Sequence, residues 1–374
     1  MKIALIAREN LNILKGGDTY VILKIKELLE KNDIQVELIL NKNQFKEDFD
    51  LYHLFNLGDF KILIFYIKQI SKNNKKFVLN PLWYKDNTIF YNIYLIWKEY
   101  SIYKNFFNFK ARLMGDKFLF NFLKIFNRYR RDLKEEFILK KASAIIIESK
   151  SAQETLCSYF SNLKEEIRKK SFILPLPINE KFLGPCEEVN LDFKDYVLNV
   201  GRIEPFKNQI AIIKALFNNP EIPLIFIGKE HYASNKFRFY YQEFDDFIKR
   251  RGNIVHLNEV TFEELVYLYK NAKVYCHPAI FEPYGLSILE AAYFGCNLVI
   301  TKNCGVKDYL EDNIFLVDPL DIEELKEKIT LALNTPKTKK NIKISLDWGF
   351  YIQELLKIYN YVLNAQVFNN NPNL

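Results

Sequence analysis

The sequence predicts an α/β protein built from two doubly wound parallel-sheet domains in tandem. Three observations predict it. Short apolar runs alternate with stretches of helical periodicity along almost the whole chain. A proline-rich break near residues 174–190 divides that alternation into two series. At 374 residues the chain also exceeds what one ordinary hydrophobic core holds.

The first series opens with KIALIA (2–7), followed by a loop with Gly16-Gly17 and then Tyr20, Leu23, Ile25, Leu28 and Leu29 at helical spacing. QVELIL (35–40) reads as a buried strand, completing a βαβ unit. DLYHLF (50–55), KFVLN (76–80) and SAIIIES (143–149) continue the strands, with FKILIFYIKQI (60–70) and the long basic region read as helices between them. The break LPLPINEKFLGPCEE carries three prolines and a glycine. The second series runs YVLNVG (196–201), QIAIIKALFN (209–218), LIFIGK (224–229), FRFYYQEFDDFIKRR (237–251) and NIVHLN (253–258), strand and helix in turn. It continues with FEELVYLYKNA (262–272), KVYCHPA (273–279), LSILEAAYFG (286–295), NLVIT (297–301), FLVDP (315–319) and IEELKEKITLAL (322–333). A last amphipathic helix spans 345–363, with Trp348, Ile352, Leu355, Leu356, Tyr359 and Val362 along one face. The expected domains are therefore 1–180, 190–344 and a helix 345–364, with 365–374 frayed. Two doubly wound sheets in tandem are expected to offer a cleft where the carboxyl ends of their strands face each other.

Hydrophobic residues make up 49% and charged residues 26%, the balance of a folded globular chain. The five cysteines, Cys157, Cys186, Cys276, Cys296 and Cys304, show no CxxC pair, disulfide framework or zinc spacing. The start MKIALIAREN is a strand rather than a signal peptide, and no apolar run reaches spanning length, so the cytoplasm is the expected compartment. Net charge is +7. Between Trp97 and Lys141 about a dozen Lys/Arg stand against about five acids, interleaved with Phe and Tyr. A solvated helical face is the plain reading; docking on the anionic inner membrane or on an anionic acceptor is the sharper one. No nucleic-acid motif accompanies the charge.

The residues that carry chemistry cluster in the second series. Glu282-Pro283-Tyr284-Gly285-Leu286 joins a strand to a helix, and Glu290 lies one turn inside that helix. Pro283 and Gly285 shape a tight turn, and the free N–H groups of the first helical turn suit a phosphate. Glu282 and Glu290 can take sugar or ribose hydroxyls. At the end of an earlier strand, Gly201-Arg202-Ile203-Glu204-Pro205-Phe206-Lys207-Asn208 offers Arg202 and Lys207, five residues apart, to a diphosphate. A surface pair of Arg202 with Glu204 is the alternative.

Together these stretches resemble the retaining group 1 (family 4) glycosyltransferases of the GT-B fold, in which two Rossmann-like domains face each other across a cleft. The resemblance implies that Glu282 contacts the transferred sugar, Glu290 the ribose, and the main chain of Tyr284, Gly285 and Leu286 the sugar and diphosphate. It implies that Arg202 and Lys207, leaving the strand end at Gly201, neutralise the departing diphosphate without a metal. Gly16 and Gly17 resemble the family's glycine loop. Ala142–Ser149 and the helix Ser345–Tyr359, which in the family crosses back to the first domain, also match. The implied activity is metal-independent hexosyl transfer with retention, from a nucleoside diphosphate sugar to a saccharide or lipid-linked acceptor. Bacterial surface polysaccharide or lipopolysaccharide synthesis is the implied setting, and no cofactor beyond the co-substrate is required.

One departure stands out. Many members place a His beside the sugar in the N-terminal domain, and of the four histidines only His53 falls there. Either His53 or the turn Asn80–Trp83 supplies that group, or the role is missing. Two other classes are carried forward: a non-catalytic relative acting as a partner or scaffold, and a nucleotide-sugar 2-epimerase on the same fold.

Overall fold

A computed structural model describes residues 1–13, 16–82, 132–189, 194–230, 237–339 and 341–364. Trp83, His231, the tail 365–374 and all of the basic stretch except 132–141 lie outside the described residues. The chain divides into two compact units, with breaks between Leu176 and Pro177 and between Ile344 and Ser345.

The first unit holds strands β1 (Lys2–Ile6), β2 (Gln35–Ile39), β3 (Leu51–Phe55), β4 (Lys76–Asn80), β5 (Ala144–Ile147) and β6 (Ser171–Ile173). They form one sheet in the order β2-β1-β3-β4-β5-β6, every pairing parallel. Helices α1 (Gly17–Lys31), α2 (Phe60–Lys72), α3 (132–141), α4 (Lys150–Tyr159) and α5 (Lys164–Lys170) supply the crossovers. β3 and β5 are buried along their whole length, which is why the sequence reads there as continuous apolar runs rather than alternation. The α4–α5–β6 stretch had no reading of its own from sequence. It is short and largely polar, and Leu156, Cys157 and Ile167 are the side chains its two helices bury.

The second unit repeats the architecture with β7 (Val197–Val200), α6 (Gln209–Ala215), β8 (Leu224–Ile227), α7 (Arg238–Arg251), β9 (Ile254–Leu257), α8 (Phe262–Asn271) and β10 (Val274–His277). It closes with α9 (Leu286–Tyr293), β11 (Asn297–Thr301), β12 (Leu310–Glu311), β13 (Ile314–Val317), α10 (Ile322–Asn334) and β14 (Asn341–Ile342). Its six-stranded parallel sheet has the order β13-β11-β10-β7-β8-β9, and β12 and β14 make a separate antiparallel pair. That pair escaped the sequence reading because two-residue strands carry no periodicity.

The last helix, α11 (Trp348–Asn364), belongs to the first unit. It buries Trp348, Tyr351, Ile352, Leu355, Ile358, Tyr359 and Val362. Leu356, expected on this face, is half-buried, and Tyr351 and Ile358 take the central positions. Trp348 meets Tyr20 of α1 edge-on at 5.7 Å, and Lys76 Nζ of β4 donates to the Val362 carbonyl at 2.6 Å.

In the second unit the chain lays β8 and β9 on one side of β7, then crosses to place β10, β11 and β13 on the other. The switch point therefore lies between β7 and β10. In open sheets of this kind the crevice outside the carboxyl ends of the strands at the switch point is where ligands bind.

Candidate active site

The loops after β7 and β10 start at that switch point, and they carry the residues singled out in the sequence. The β7–β10 ladder covers only Val197–Val274 and Leu198–Tyr275. Beyond it the strands part, and the Asn199 amide bridges the gap by donating to the Cys276 carbonyl at 2.7 Å. The loop after β7 is pinned to its neighbour a second time. Asn208, in the left-handed region at φ 58°, donates through its side chain to the carbonyls of Pro278 at 3.1 Å and Pro319 at 2.7 Å. The Ile280 N–H adds a bond to the Phe206 carbonyl at 2.9 Å.

This clamp sets Lys207 beside Glu282. Lys207 Nζ lies 2.5 Å from Glu282 Oε2, both side chains largely buried. His277, the last residue of β10 and fully buried, meets the same oxygen through Nε2 at 2.9 Å. Burial alone would raise the Glu282 carboxyl; the Lys207 charge and the His277 hydrogen bond outweigh it and bring the pKa down to about 2. Burial is also the main reason the His277 imidazole stays below its ordinary pKa. The pair therefore balances one negative charge against one positive charge, with a neutral ring between strand and carboxylate.

Gly285 explains the shape of the turn that follows. Its φ of 103° lies where side chains are strained, and an added Cβ would stand 2.8 Å from Ile288 Cδ1. The turn is braced from behind by the loop after β11: Glu282 N–H donates to Asn303 O at 3.2 Å and Val306 N–H to Tyr284 O at 2.8 Å. In α9 the N–H groups of Ile288 and Leu289 both reach Gly285 O, whereas those of Leu286 and Ser287 have no partner among the described residues. Glu290 accepts from the Tyr269 hydroxyl of α8 at 2.8 Å. Burial raises its carboxyl to about 7 despite that bond.

Arg202 sits just past the end of β7 with its side chain 43% exposed, 3.5 Å from Glu204 Oε1. The alternative Arg–Glu contact is thus present, and at that exposure it is worth about 0–1 kcal/mol, weak enough to yield to an anion. Gly201 is held against β8 by its N–H bond to the Ile227 carbonyl at 2.9 Å.

In the first unit, Gly16 caps α1 and Gly17 is its first residue, at the carboxyl-end side of β1. His53 is fully buried in β3, and its Nδ1 lies 2.7 Å from the Tyr359 hydroxyl of α11. Burial takes its pKa down to about 3. Asn80 is equally buried at the end of β4, beside Glu148, whose carboxyl burial raises to about 7. Sequence reasoning passed over His277, Tyr275 and Tyr269. The available signal for His277 was its place at a strand end five residues before Glu282; for Tyr269, on a different helix, there was none. No group of three or more His, Cys, Asp or Glu side chains that could hold a metal ion occurs among the described residues.

Two doubly wound parallel units in one chain make up the architecture that glycosyltransferases of the GT-B fold share. Residues 188–345, most of the C-terminal unit, match the family described as glycosyl transferases group 1. Sucrose-phosphate synthase from Thermosynechococcus elongatus superposes with a TM-score of 0.72 at 16% identity, over 98% of this chain and 100% of that one. HepE from Anabaena, determined in complex with UDP-glucose, superposes with a TM-score of 0.64 at 16% identity, over 99% and 100%. The O-antigen chain mannosyltransferase B of Escherichia coli is 27% identical over 171 residues, 42% of this chain and 40% of that protein. The matches span less than two thirds of the length of the curated relatives. Among the described residues no helix is long and apolar enough to cross a membrane.

Proposed function

We propose that the chain transfers a hexosyl group, with retention, from a nucleoside diphosphate sugar to a saccharide or lipid-linked acceptor in surface-polysaccharide or lipopolysaccharide assembly. The observation that carries this reading is the Lys207–Glu282–His277 cluster at the switch point, beside a helix start whose Leu286 and Ser287 N–H groups have no partner among the described residues. Glu282 binds hydroxyls of the transferred sugar, and Glu290 binds the ribose. The amides of Leu286 and Ser287 receive the diphosphate, and Arg202 and Lys207 offset the charge that develops on it as it leaves, so the reaction needs no metal. The second unit thus serves as donor domain, and the first, with Gly16 and Gly17, as acceptor domain. The likeness to HepE, determined with UDP-glucose, and to an O-antigen mannosyltransferase supports donor class and setting.

A thermal-shift panel of nucleoside diphosphates and their sugars, without added metal, tests the reading on wild type and Glu290→Ala. Stabilisation by one nucleotide that the variant loses is the expected result. No shift with any member would favour the scaffold alternative. The basic stretch 97–141 would bring the acceptor domain to an anionic membrane; co-sedimentation with liposomes that ignores anionic lipid content would remove that part.

A further inference from the structure

Glu282 is held on one side only. Lys207 and His277 both bond Oε2, and Oε1 has no hydrogen-bond partner among the described residues. The side chain keeps 12% of its surface exposed, whereas that of His277 keeps none. A carboxylate whose two oxygens are so divided is anchored through one and presented through the other. The anchor also has a defined tautomer. Glu282 is ionised, so Nε2 of His277 must carry the proton and donate it. Nδ1 then turns its lone pair to the Tyr275 hydroxyl, 3.3 Å away. Burial keeps that phenol protonated, with a pKa well above the usual tyrosine range. The same hydroxyl lies 2.8 Å from Ser287 Oγ in the first turn of α9 and 3.3 Å from the Val200 carbonyl at the end of β7. One tyrosine therefore touches the imidazole, the helix start and the strand that leads into Arg202.

We infer that His277, set by Tyr275, is a positioning residue that fixes the rotamer of Glu282 so that Oε1 faces the sugar of the donor. His277 itself touches neither sugar nor phosphate, because no part of it reaches the surface. The inference rests on the proposed donor site and adds the residue that orients it. Lys207 alone cannot do this work: a flexible ammonium is a point charge that follows a carboxylate through several rotamers, whereas a ring at the end of a buried strand holds a fixed direction.

The test separates the ring's Nε2 from its bulk. A glutamine amide places its nitrogen near the position of Nε2, and an asparagine amide near that of Nδ1. His277→Gln and His277→Asn are therefore matched polar substitutions of which only the first retains the bond to Glu282. Wild type and both variants are compared in full-length form, by thermal shift with nucleoside diphosphates and their sugars and by steady-state transfer. The expected result is that all three bind the nucleoside diphosphate alike, since it lacks the sugar. His277→Asn loses the extra stabilisation that the sugar confers and drops in kcat by up to roughly 10²-fold with little change in donor KM, the scale set by mispositioning of about 1 Å. His277→Gln recovers most of both. Equal behaviour of the two variants, whether both active or both impaired while still binding the diphosphate, would overturn the positioning role. Absence of any nucleotide response in wild type would instead bring down the donor-site reading, and this inference with it.

Discussion

Lys207 and Glu282 are 75 residues apart in the chain and 2.5 Å apart in the fold. Nothing local joins them. The contact exists because Asn208 fastens the loop after β7 to the carbonyls of Pro278 and Pro319, so that two loops from opposite sides of a switch point share one surface.

Removing Lys207 should be felt in both stability and rate. Lys207→Ala leaves a largely buried carboxylate with only a neutral imidazole beside it, and breaking such a pair costs about 3–5 kcal/mol when fully buried. Because Lys207 retains 20% exposure, the lower end is expected. Chemical denaturation of Lys207→Ala, Glu282→Gln and the double variant should give a non-additive cycle; additive losses would show that the contact contributes no coupling. Transfer by Lys207→Ala should fall on the order of 10²-fold or more, as when a charge-stabilising donor is lost.

The acidic limb of stability follows from Glu282. Its folded pKa, near 2, lies below its ordinary value of 4.5. A lowered carboxylate contributes stability that is present above the unfolded pKa and lost as pH falls through the folded one. Wild type should therefore lose stability between about pH 4.5 and 2 faster than Glu282→Gln does. Parallel curves for the two proteins over that range would contradict the assignment.

Glu290 has the opposite sign. Its carboxyl is raised from 4.5 to about 7, so its folded form favours the proton, and stability falls as pH rises through that interval. Glu290→Gln should be more stable than wild type at pH 8, by at most about 3 kcal/mol, and nearly equal to it at pH 4. Glu148, raised in the same interval by burial in the other unit, stays in both proteins and cancels in the comparison. Bound nucleotide should narrow the difference if the ribose hydroxyls replace water at the carboxylate.

How much of this was legible beforehand depended on whether the cause was local. Alternating runs and a proline-rich break are local, so the two α/β series and the last helix could be read directly. Glu282, Gly285, Glu290, Arg202 and Lys207 stand in compact motifs and could be named one by one. Their partners could not, because each contact is made by tertiary packing. His277 ends an apolar strand, where a histidine looks the same whether it fills a core or orients a carboxylate. Tyr269 reaches Glu290 from another helix, and Tyr359 reaches His53 from the far end of the chain. His53 is a candidate, with the Asn80–Trp83 turn, for the group beside the sugar; its contact with Tyr359 of α11 is one that sequence spacing had no means of showing.

That contact makes α11 the subject of a further expectation. Tyr359→Phe keeps the packed ring but leaves His53 Nδ1 buried without its partner, at a cost of about 1–3 kcal/mol. The loss should appear as a lower melting temperature and as faster proteolytic release of the C-terminal helix, with nucleotide binding by the second unit unchanged. A variant as stable as wild type would mean that the bond is replaced by another partner.

Gly228 offers the sharpest backbone test. It ends the stretch after β8 at φ 141°, and a Cβ there would sit on the carbonyl carbon and oxygen of Gly201, atoms that cannot turn aside as a side chain can. Gly285 is different: a Cβ at φ 103° would meet chiefly the tip of Ile288, which can move. Both substitutions to alanine incur backbone strain of about 1–3 kcal/mol. Only Gly228→Ala also displaces the loop that carries Arg202, since Gly201 and its neighbour must retreat from β8. Gly228→Ala should therefore lose more stability than Gly285→Ala and weaken binding of the bare nucleoside diphosphate. Gly285→Ala should disturb chiefly the first turn of α9 and discrimination between the diphosphate and its sugar. Denaturation midpoints and thermal shifts with both ligands decide between these patterns; the reverse order of stability would show that the β8 end yields more easily than its backbone contacts imply.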